Sequence, residues 1–280
     1  MSTQPIAVFD SGIGGLTVVR HLRSLLPSES LVYFGDTARV PYGSKSQRTV
    51  AAFSLDVARF LMQFEPKLMV VACNTASALA MDDLARELPI PVVGVLGPSA
   101  AAAARLARDG VIAILATEAT IASGAYPAAV QAARRDARVE AIACPLFVPL
   151  AEEGRTSDDP AVRLIAEGYL SPLRGTTIDA AVLGCTHYPL LRDAIAAALG
   201  PQVAIVDSGR EAALSVQQAL AALGMLSAHS ARGSMRCFVS DNPQRFRRLG
   251  ARFLNEDVDS VEFVEPERYA TPAASALPPA

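Results

Sequence analysis

Two cysteines stand where strand-like runs end. In LMVVACNTASA (68–78) and AAVLGCTHYPL (180–190) a continuous apolar run delivers Cys73 or Cys185, followed by a small polar residue and then a helix-like stretch. Ligands of α/β sheets bind outside the carboxyl ends of strands. Both thiols therefore stand where chemistry is expected, one in each half of the chain. Cysteine is also among the most commonly buried residues, so the local pattern leaves inert core and catalysis equally open for this pair. Cys144 is followed by Pro145-Leu146-Phe147 and Cys237 lies inside an apolar run; both read as core.

Cys185-Thr186-His187 puts a thiol and an imidazole two residues apart just past a strand. The histidine can donate or accept a proton, or lower the thiol pKa when charged. A zinc site of Cys73, Cys185 and His187 is the rival, but structural zinc sites present paired ligands at short spacing and only one such pair occurs here, so no metal is expected. His21 and His229 read as surface residues. Asp10-Ser11-Gly12-Ile13-Gly14-Gly15 follows the first apolar run and opens a helix. It is either a tight turn capped by Asp10 or Ser11, or a carboxylate-binding loop with a functional Asp10. A dinucleotide fingerprint fails because Thr17 stands where its last glycine belongs. Gly43-Ser44-Lys45-Ser46 lacks the glycines of a phosphate loop. Lys45 and Lys67 are the only lysines, one in a loop and one before a strand. Neither suits the Schiff base of pyridoxal chemistry.

Two thiols on opposite walls of a cleft have a definite chemistry. One, as thiolate, takes a proton from a carbon; the other, as thiol, gives one to the opposite face. The carbon inverts and the two protonation states are exchanged. Such transfer works best when the catalytic pKa lies near ambient pH, and free cysteine, at ~8.5, is readily tuned.

The elements that must position these groups alternate regularly. Strands are read at 6–10, 31–36, 68–73, 92–95, 111–117, 139–144, 180–185, 203–208, 235–240 and 261–265. Nearly all are continuous apolar runs, as in parallel strands buried on both faces. Helical stripes lie between them, at 16–26, 50–64, 76–87, 99–108, 119–135, 158–170, 189–199, 211–223 and 243–254. The alternation means α/β, and ten strands are many for one open sheet, so two sheets are expected. The chain crosses between them at Gly94–Ser99 and again at Asp207–Gly209. The Pro/Ala-rich tail, 266–280, is expected to be disordered.

Composition agrees with a folded, globular chain. Of 280 residues, 51% are hydrophobic and 19% charged, enough to bury a sizeable core. The 25 basic against 28 acidic residues argue against a nucleic-acid partner. No apolar run is long enough for a membrane span, and the short polar start lacks the layout of a signal peptide. A cytoplasmic location is expected.

The chain resembles the glutamate racemases of the aspartate/glutamate racemase family. The resemblance rests on FDSGIGGLTV (9–18), YFGDTARVPYG (33–43), VVACNTASA (70–78), PLAEEG (149–154) and VLGCTHYPL (182–190). It implies two similar lobes, each a mostly parallel sheet flanked by helices, with the active site in the cleft between them. The first lobe would hold 1–97 plus 208–265, the second 98–207. The resemblance implies cofactor-independent racemisation of L- and D-glutamate, supplying D-glutamate for peptidoglycan. Cys73 would serve the D-enantiomer and Cys185 the L-enantiomer, with Asp10 and His187 assisting and Glu153 of the Glu152-Glu153 pair supporting His187. Substrate contacts would come from Asp10, Ser11, Tyr42, Gly43, Asn74, Thr75, Thr117, Thr186 and His187, with Thr120 and Asp36 as further matches, and a homodimer is expected. Three alternatives follow from the residues: an aspartate racemase or related two-thiol isomerase, a cysteine hydrolase built on Cys185 and His187, which leaves Cys73 without a task, and a non-catalytic carboxylate-binding protein.

Overall fold

The computed structural model describes residues 3–270. The described residues form two separate, wholly parallel sheets. The first begins with β1 (Ile6–Asp10), which crosses through α1 (Leu16–Leu25) to β2 (Leu31–Gly35) on one side. From β2, α2 (Gln47–Met62) crosses back to β3 (Leu68–Val71) on the other side of β1. Two short helices, α3 (Asn74–Leu79) and α4 (Met81–Glu87), lead to β4 (Val92–Gly94). The chain passes through α5 (Leu96–Leu106) into the second sheet, which repeats the plan. There β5 (Val111–Ala116) is followed by α6 (Glu118–Ala122), α7 (Ala125–Ala133) and β6 (Arg138–Ala143) on one side. Then α8 (Phe147–Glu153) and α9 (Pro160–Leu170) lead to β7 (Ile178–Gly184) on the other side, and α10 (Arg192–Leu199) leads to β8 (Ala204–Asp207). After α11 (Ser208–Ala222) the chain returns to the first sheet. It adds β9 (Met235–Val239), α12 (Pro243–Leu254) and β10 (Val261–Phe263) beyond β2.

The strand orders are thus β10-β9-β2-β1-β3-β4 and β6-β5-β7-β8. Within them β2-β1-β3-β4 and β6-β5-β7-β8 are the same topology. In each, the chain leaves its first strand in one direction and returns on the other side, which opens a crevice at the carboxyl ends of the first and third strands. The residues at those four ends are Asp10, Cys73, Thr117 and Cys185.

The central strands are apolar because both faces are covered: β1, β3 and β5 are buried along their whole length. One apolar cluster contains side chains from both sheets, among them Val8, Val70, Ala113 and Leu183, and joins them through α1, α10, α11 and α12. The outer face of the first sheet carries a second cluster under α2, with Phe34, Phe60 and Phe238 in edge contact. The outer face of the second sheet carries a third under α5 and α7.

Four expectations need correction. The helical stretch 76–87 breaks at Ala80, and 119–135 breaks at Gly124, whose φ of +66° suits glycine. Helix α8 has no counterpart in the sequence reading, because Pro145 and Pro149 argue against a helix there. Pro149 sits in the first turn, where its missing N–H would have had no intrahelical partner. The expected disordered tail begins too early: Pro266–Arg268 form a 3₁₀ turn, and Tyr269 is buried against Phe34 with Arg39 over its ring. Residues 271–280 of that stretch lie outside the described residues. No described helix is long and apolar enough to cross a membrane.

Candidate active site

A cleft of about 210 Å³ lies where the carboxyl ends of the two sheets meet. It is smaller than the roughly 300–1,000 Å³ of drug-sized pockets, which points to a small substrate. Ser11, Tyr42, Gly43, Cys73, Asn74 and Thr75 line it from the first sheet; Thr117, Glu152, Cys185, Thr186 and His187 line it from the second.

Cys73 is the residue before α3, and its sulfur accepts the Ala76 N–H at 3.5 Å while its S–H faces Ser11 Oγ at 3.6 Å. Burial pushes this thiol up to about 11. The Asp10 carboxylate adds to the rise, and the Ala76 N–H and Ser11 offset part of it. Cys185 follows β7 with His187 Nδ1 3.9 Å from its sulfur. Burial pushes it higher still, against the partial help of the His187 backbone N–H. Among the described residues, none beside either thiol outweighs the effect of burial.

Asp10 ends β1 and is buried behind the cleft wall rather than in it. One oxygen accepts the Gly12 N–H at 2.9 Å; the other is buried without a hydrogen-bond partner. Burial raises its carboxyl, with the His187 charge the chief opposing influence. The glycine-rich turn is needed for proximity. A Cβ on Gly14 would overlap Thr186 Oγ1 and come within 2.6 Å of the His187 ring, and one on Gly43 would lie 2.8 Å from Thr117 Cβ. These two glycines let the loops of one sheet press against the loops of the other.

The glutamate that meets His187 is Glu152: its Oε1 lies 3.2 Å from Nε2. Glu153, expected in that place, instead pairs with Arg155 at the surface. Helical geometry points successive residues about 100° apart, so only one of two neighbouring acids can face the cleft. The His187 hydrogen bond, reinforced by Arg245, holds the Glu152 carboxyl below its ordinary range despite partial burial. A carboxylate at Nε2 makes that nitrogen the donor and leaves Nδ1 to accept from the Cys185 side.

The hydroxyls join the two halves. Thr75 Oγ1 lies 3.0 Å from Thr117 Oγ1 and 3.1 Å from Thr120 Oγ1, and the last two are 3.0 Å apart. Thr120 itself is fully buried beneath the cleft. The Asn74 amide is also committed to this seam: it accepts from Tyr126 Oη at 2.6 Å and donates to Ser208 Oγ at 3.2 Å. Tyr42 Oη donates to Asp36 at 2.5 Å. Asp36 is wholly buried, also accepts from Arg39 and Ser240, and does not reach the cleft. Its place is to fix Tyr42.

Several lining residues escaped the sequence reading: Val40, Pro41, Ser44, Glu118, Pro145, Val148 and Pro149. Most of these are apolar wall residues, and the proline-rich composition that hid α8 hid three of them. His21 is half-buried and lies 3.3 Å from Asp207, the residue before α11. This corrects its reading as a surface residue; His229 is exposed. Cys144 and Cys237 are buried, as expected of core. Lys67 is buried at the amino end of β3, bound to Glu29 and the Met225 carbonyl, far along the strand from the cleft. Among the described residues, no three His, Cys, Asp or Glu side chains are grouped to hold a metal ion.

A sequence model of the Asp/Glu/Hydantoin racemase family matches residues 16–216. The chain belongs to that family. It is 48% identical to the glutamate racemase of Chlorobaculum tepidum over 94% of this chain and 97% of that one. The crystal structure of glutamate racemase from Thermus thermophilus, solved with β-chloro-D-alanine, matches with TM-score 0.87 and 46% identity, covering 96% of this chain and all of that one. The enzyme from Francisella tularensis, solved in complex with D-glutamate, matches with TM-score 0.89 and 37% identity, covering 96% of this chain and all of that one. The two parallel sheets flanked by helices are the architecture of these racemases.

Proposed function

We propose that this racemase interconverts L- and D-glutamate by proton transfer at the α carbon, with Cys73 and Cys185 as the two bases and neither metal nor organic cofactor. The observation that carries the reading is the placement of two thiols at corresponding strand ends of two sheets, both lining one cleft. In one direction the Cys185 thiolate takes the α-proton of L-glutamate. The C–H bond breaks, its electron pair passes into the carbon and its carboxylate, and the Cys73 S–H delivers a proton to the opposite face. The reverse reaction begins with the thiols in the opposite states.

Burial works for this chemistry in two ways. It makes each thiolate a stronger base once formed, and it keeps water away from the carbanion. The substrate ammonium brings a positive charge into a site where Asp10 and Glu152 are the nearby acids, and so favours ionising a thiol when substrate is present. His187, held by Glu152, takes or returns the Cys185 proton; Asp10 and Ser11 play the corresponding part beside Cys73. The hydroxyl and backbone N–H groups at 11, 43, 75 and 186 bind the two carboxylates.

Glutamate is preferred to aspartate because of the relatives named above. A second carboxylate left one bond short of its donors loses more than the ~1–3 kcal/mol of a missing methylene. In this reading residues 1–97 and 208–265 form one lobe and 98–207 the other, and the protein works in the cytoplasm as a homodimer, supplying D-glutamate for the cell wall.

The test is incubation of the purified protein with either enantiomer of glutamate in deuterated water, without added cofactor, after treatment with a chelator. Optical rotation should decay to zero, and the product enantiomer should carry deuterium before the remaining substrate does. Failure to interconvert the enantiomers, or activity restored only by a metal, would overturn it.

A further inference from the structure

Glu152 has two carboxylate oxygens, and only one of them holds His187. The other accepts from Arg245 Nη2 at 2.9 Å. Glu152 and His187 follow strands of the four-stranded sheet, whereas Arg245 lies in the first turn of α12, after β9 of the six-stranded sheet. A cation there runs against the helix dipole, which favours acids in the first turn, and α12 has no acid there. Helix stability therefore does not account for Arg245. The same helix meets this corner of the cleft twice more. The Phe253 ring stands edge-on to His187 at 5.0 Å, and the Arg252 guanidinium lies against Gly154, at the end of α8. Residues 245, 252 and 253 are seven and eight apart and so share one face of the helix. Beside Cys73 the other sheet supplies neutral hydroxyls instead, Thr117 and Thr120 to Thr75 and Tyr126 to Asn74.

We propose that Arg245 is a positioning residue for the Cys185 half of the site: from the opposite sheet it fixes the Glu152 carboxylate, and through it the His187 ring that serves that thiol. The inference rests on the two-thiol reading above. Arg245 is about half exposed, and exposed ion pairs add little to stability. Its contribution is therefore orientation, since without it Glu152 is free to turn away from Nε2.

Racemisation alone cannot display a one-sided effect, because an equilibrium constant of one forces kcat/KM to be equal in the two directions. A glutamate with a leaving group on its β carbon separates the faces. Removal of the α-proton expels the group, and the resulting enamine hydrolyses to a 2-oxoacid and ammonia, so each enantiomer reports on one thiol. With the wild-type protein shown to racemise glutamate and to eliminate from both enantiomers, Arg245→Ala should lower kcat for the L-substrate about tenfold, leave the D-substrate within about twofold and leave the melting temperature unchanged. Arg245→Lys should recover part of the loss, since a lysine keeps the charge without the planar fork. In a Glu152→Gln background, Arg245→Ala should change the L-rate less than about twofold, because the residue acts through that carboxylate. Equal losses on both enantiomers, no loss on either, or the same tenfold loss in the Glu152→Gln background would overturn the assignment. A wild-type protein inert towards glutamate would instead overturn the proposed function, and this inference with it.

Discussion

Cys73 and Cys185 follow corresponding strands, β3 and β7, each beside its sheet's first strand on the side away from the second, yet the groups that meet them differ in kind. Cys73 has a hydroxyl, a helix-start N–H and a buried carboxylate that opposes its ionisation. Cys185 has an imidazole, and behind it a carboxylate and a guanidinium. A duplicated topology has thus been furnished with two different sets of side chains around its thiols. The difference teaches that the backbone sets where the two thiols stand, while the loops and helices after several strands set which groups meet each one. Asp10 ends β1, yet Thr117, at the matching place after β5, is no acid. The second half finds its acid in α8 instead.

The most direct way to break the comparison is to remove one thiol at a time. Cys73→Ser and Cys185→Ser should each lower racemisation by about 10²–10⁴-fold or more, because a serine hydroxyl is a far weaker acid than a thiol. Each should keep elimination from one β-substituted enantiomer: Cys73→Ser from the L-substrate, Cys185→Ser from the D-substrate. Cys144→Ser and Cys237→Ser should keep the chemistry and lose only stability. Loss of the same enantiomer by both catalytic variants would show that the halves do not divide the faces between them.

Next in size is the contact where the halves touch. Gly14→Ala would drive a methyl group into Thr186 and the His187 ring. Displacement of about 1 Å near reacting groups costs up to ~10²-fold in rate, so kcat should fall about 10–100-fold, with the L-elimination hit harder than the D-elimination. Gly97→Ala is the control. Gly97 lies in α5 with open space around it, and the substitution should stabilise by about 0.4–1 kcal/mol with activity unchanged. Equal loss from both changes would mean that Gly14 matters for reasons other than this contact.

Much of this was legible in the amino-acid sequence, and the boundary has a physical cause. Buried parallel strands read as continuous apolar runs, and even the edge strands β6 and β10, which have no buried residue, lie close to where the sequence puts them. The turn after β1 and the Cys185-Thr186-His187 triplet announce themselves because unusual residue types follow an apolar run. The partner of His187 did not: choosing Glu152 over Glu153 depends on the phase of α8, and its prolines conceal that helix. Arg245 was equally silent, since nothing local marks a surface arginine that crosses to another sheet. Asp36 gives no local sign that it faces Tyr42 rather than the cleft. Residue types at a strand end are written locally; the direction a side chain takes is not, whether within one unit, as for Asp36, or between units, as for Glu152 and Arg245.

A gentler probe compares the thiols in the absence of added glutamate. Burial raises both, Cys73 to about 11 and Cys185 further. Alkylation by iodoacetamide should therefore climb with pH beyond 9 for both, with Cys73 modified about 3–10-fold faster, since the greater nucleophilicity of the more basic thiolate offsets only part of its scarcity. Peptide mapping after brief exposure reads the ratio. Saturating glutamate should protect both positions. Faster labelling of Cys185 would mean that His187 already draws off its proton before substrate arrives, which would make the second half of the site the pre-activated one.

The smallest expected effect concerns stability in acid. The Glu152 carboxyl is held below its ordinary value by His187 first and Arg245 second. A carboxyl lowered in the folded state contributes stability that is present above its unfolded value, about 4.3, and is lost as pH falls through the folded value. Asp207 is lowered too, by His21 and by the N–H groups of α11. Asp10 and Asp36 are raised by burial and act in the opposite sense, costing stability once they ionise. The acid limb of unfolding is therefore a difference between the pairs, and Glu152→Gln removes one member. Glu152 is partly exposed, so screening limits its share to less than about 1 kcal/mol. Urea titrations at pH 7 and pH 3.5 should show the variant less stable than wild type at pH 7 and the gap smaller at pH 3.5. Asp10→Asn should do the reverse, with its advantage at pH 7, because it removes a buried charge that lacks one of its hydrogen bonds. If both variants shifted stability equally at the two pH values, the charges beside the two thiols would not differ in sign of contribution, and the contrast between the halves would be one of geometry alone.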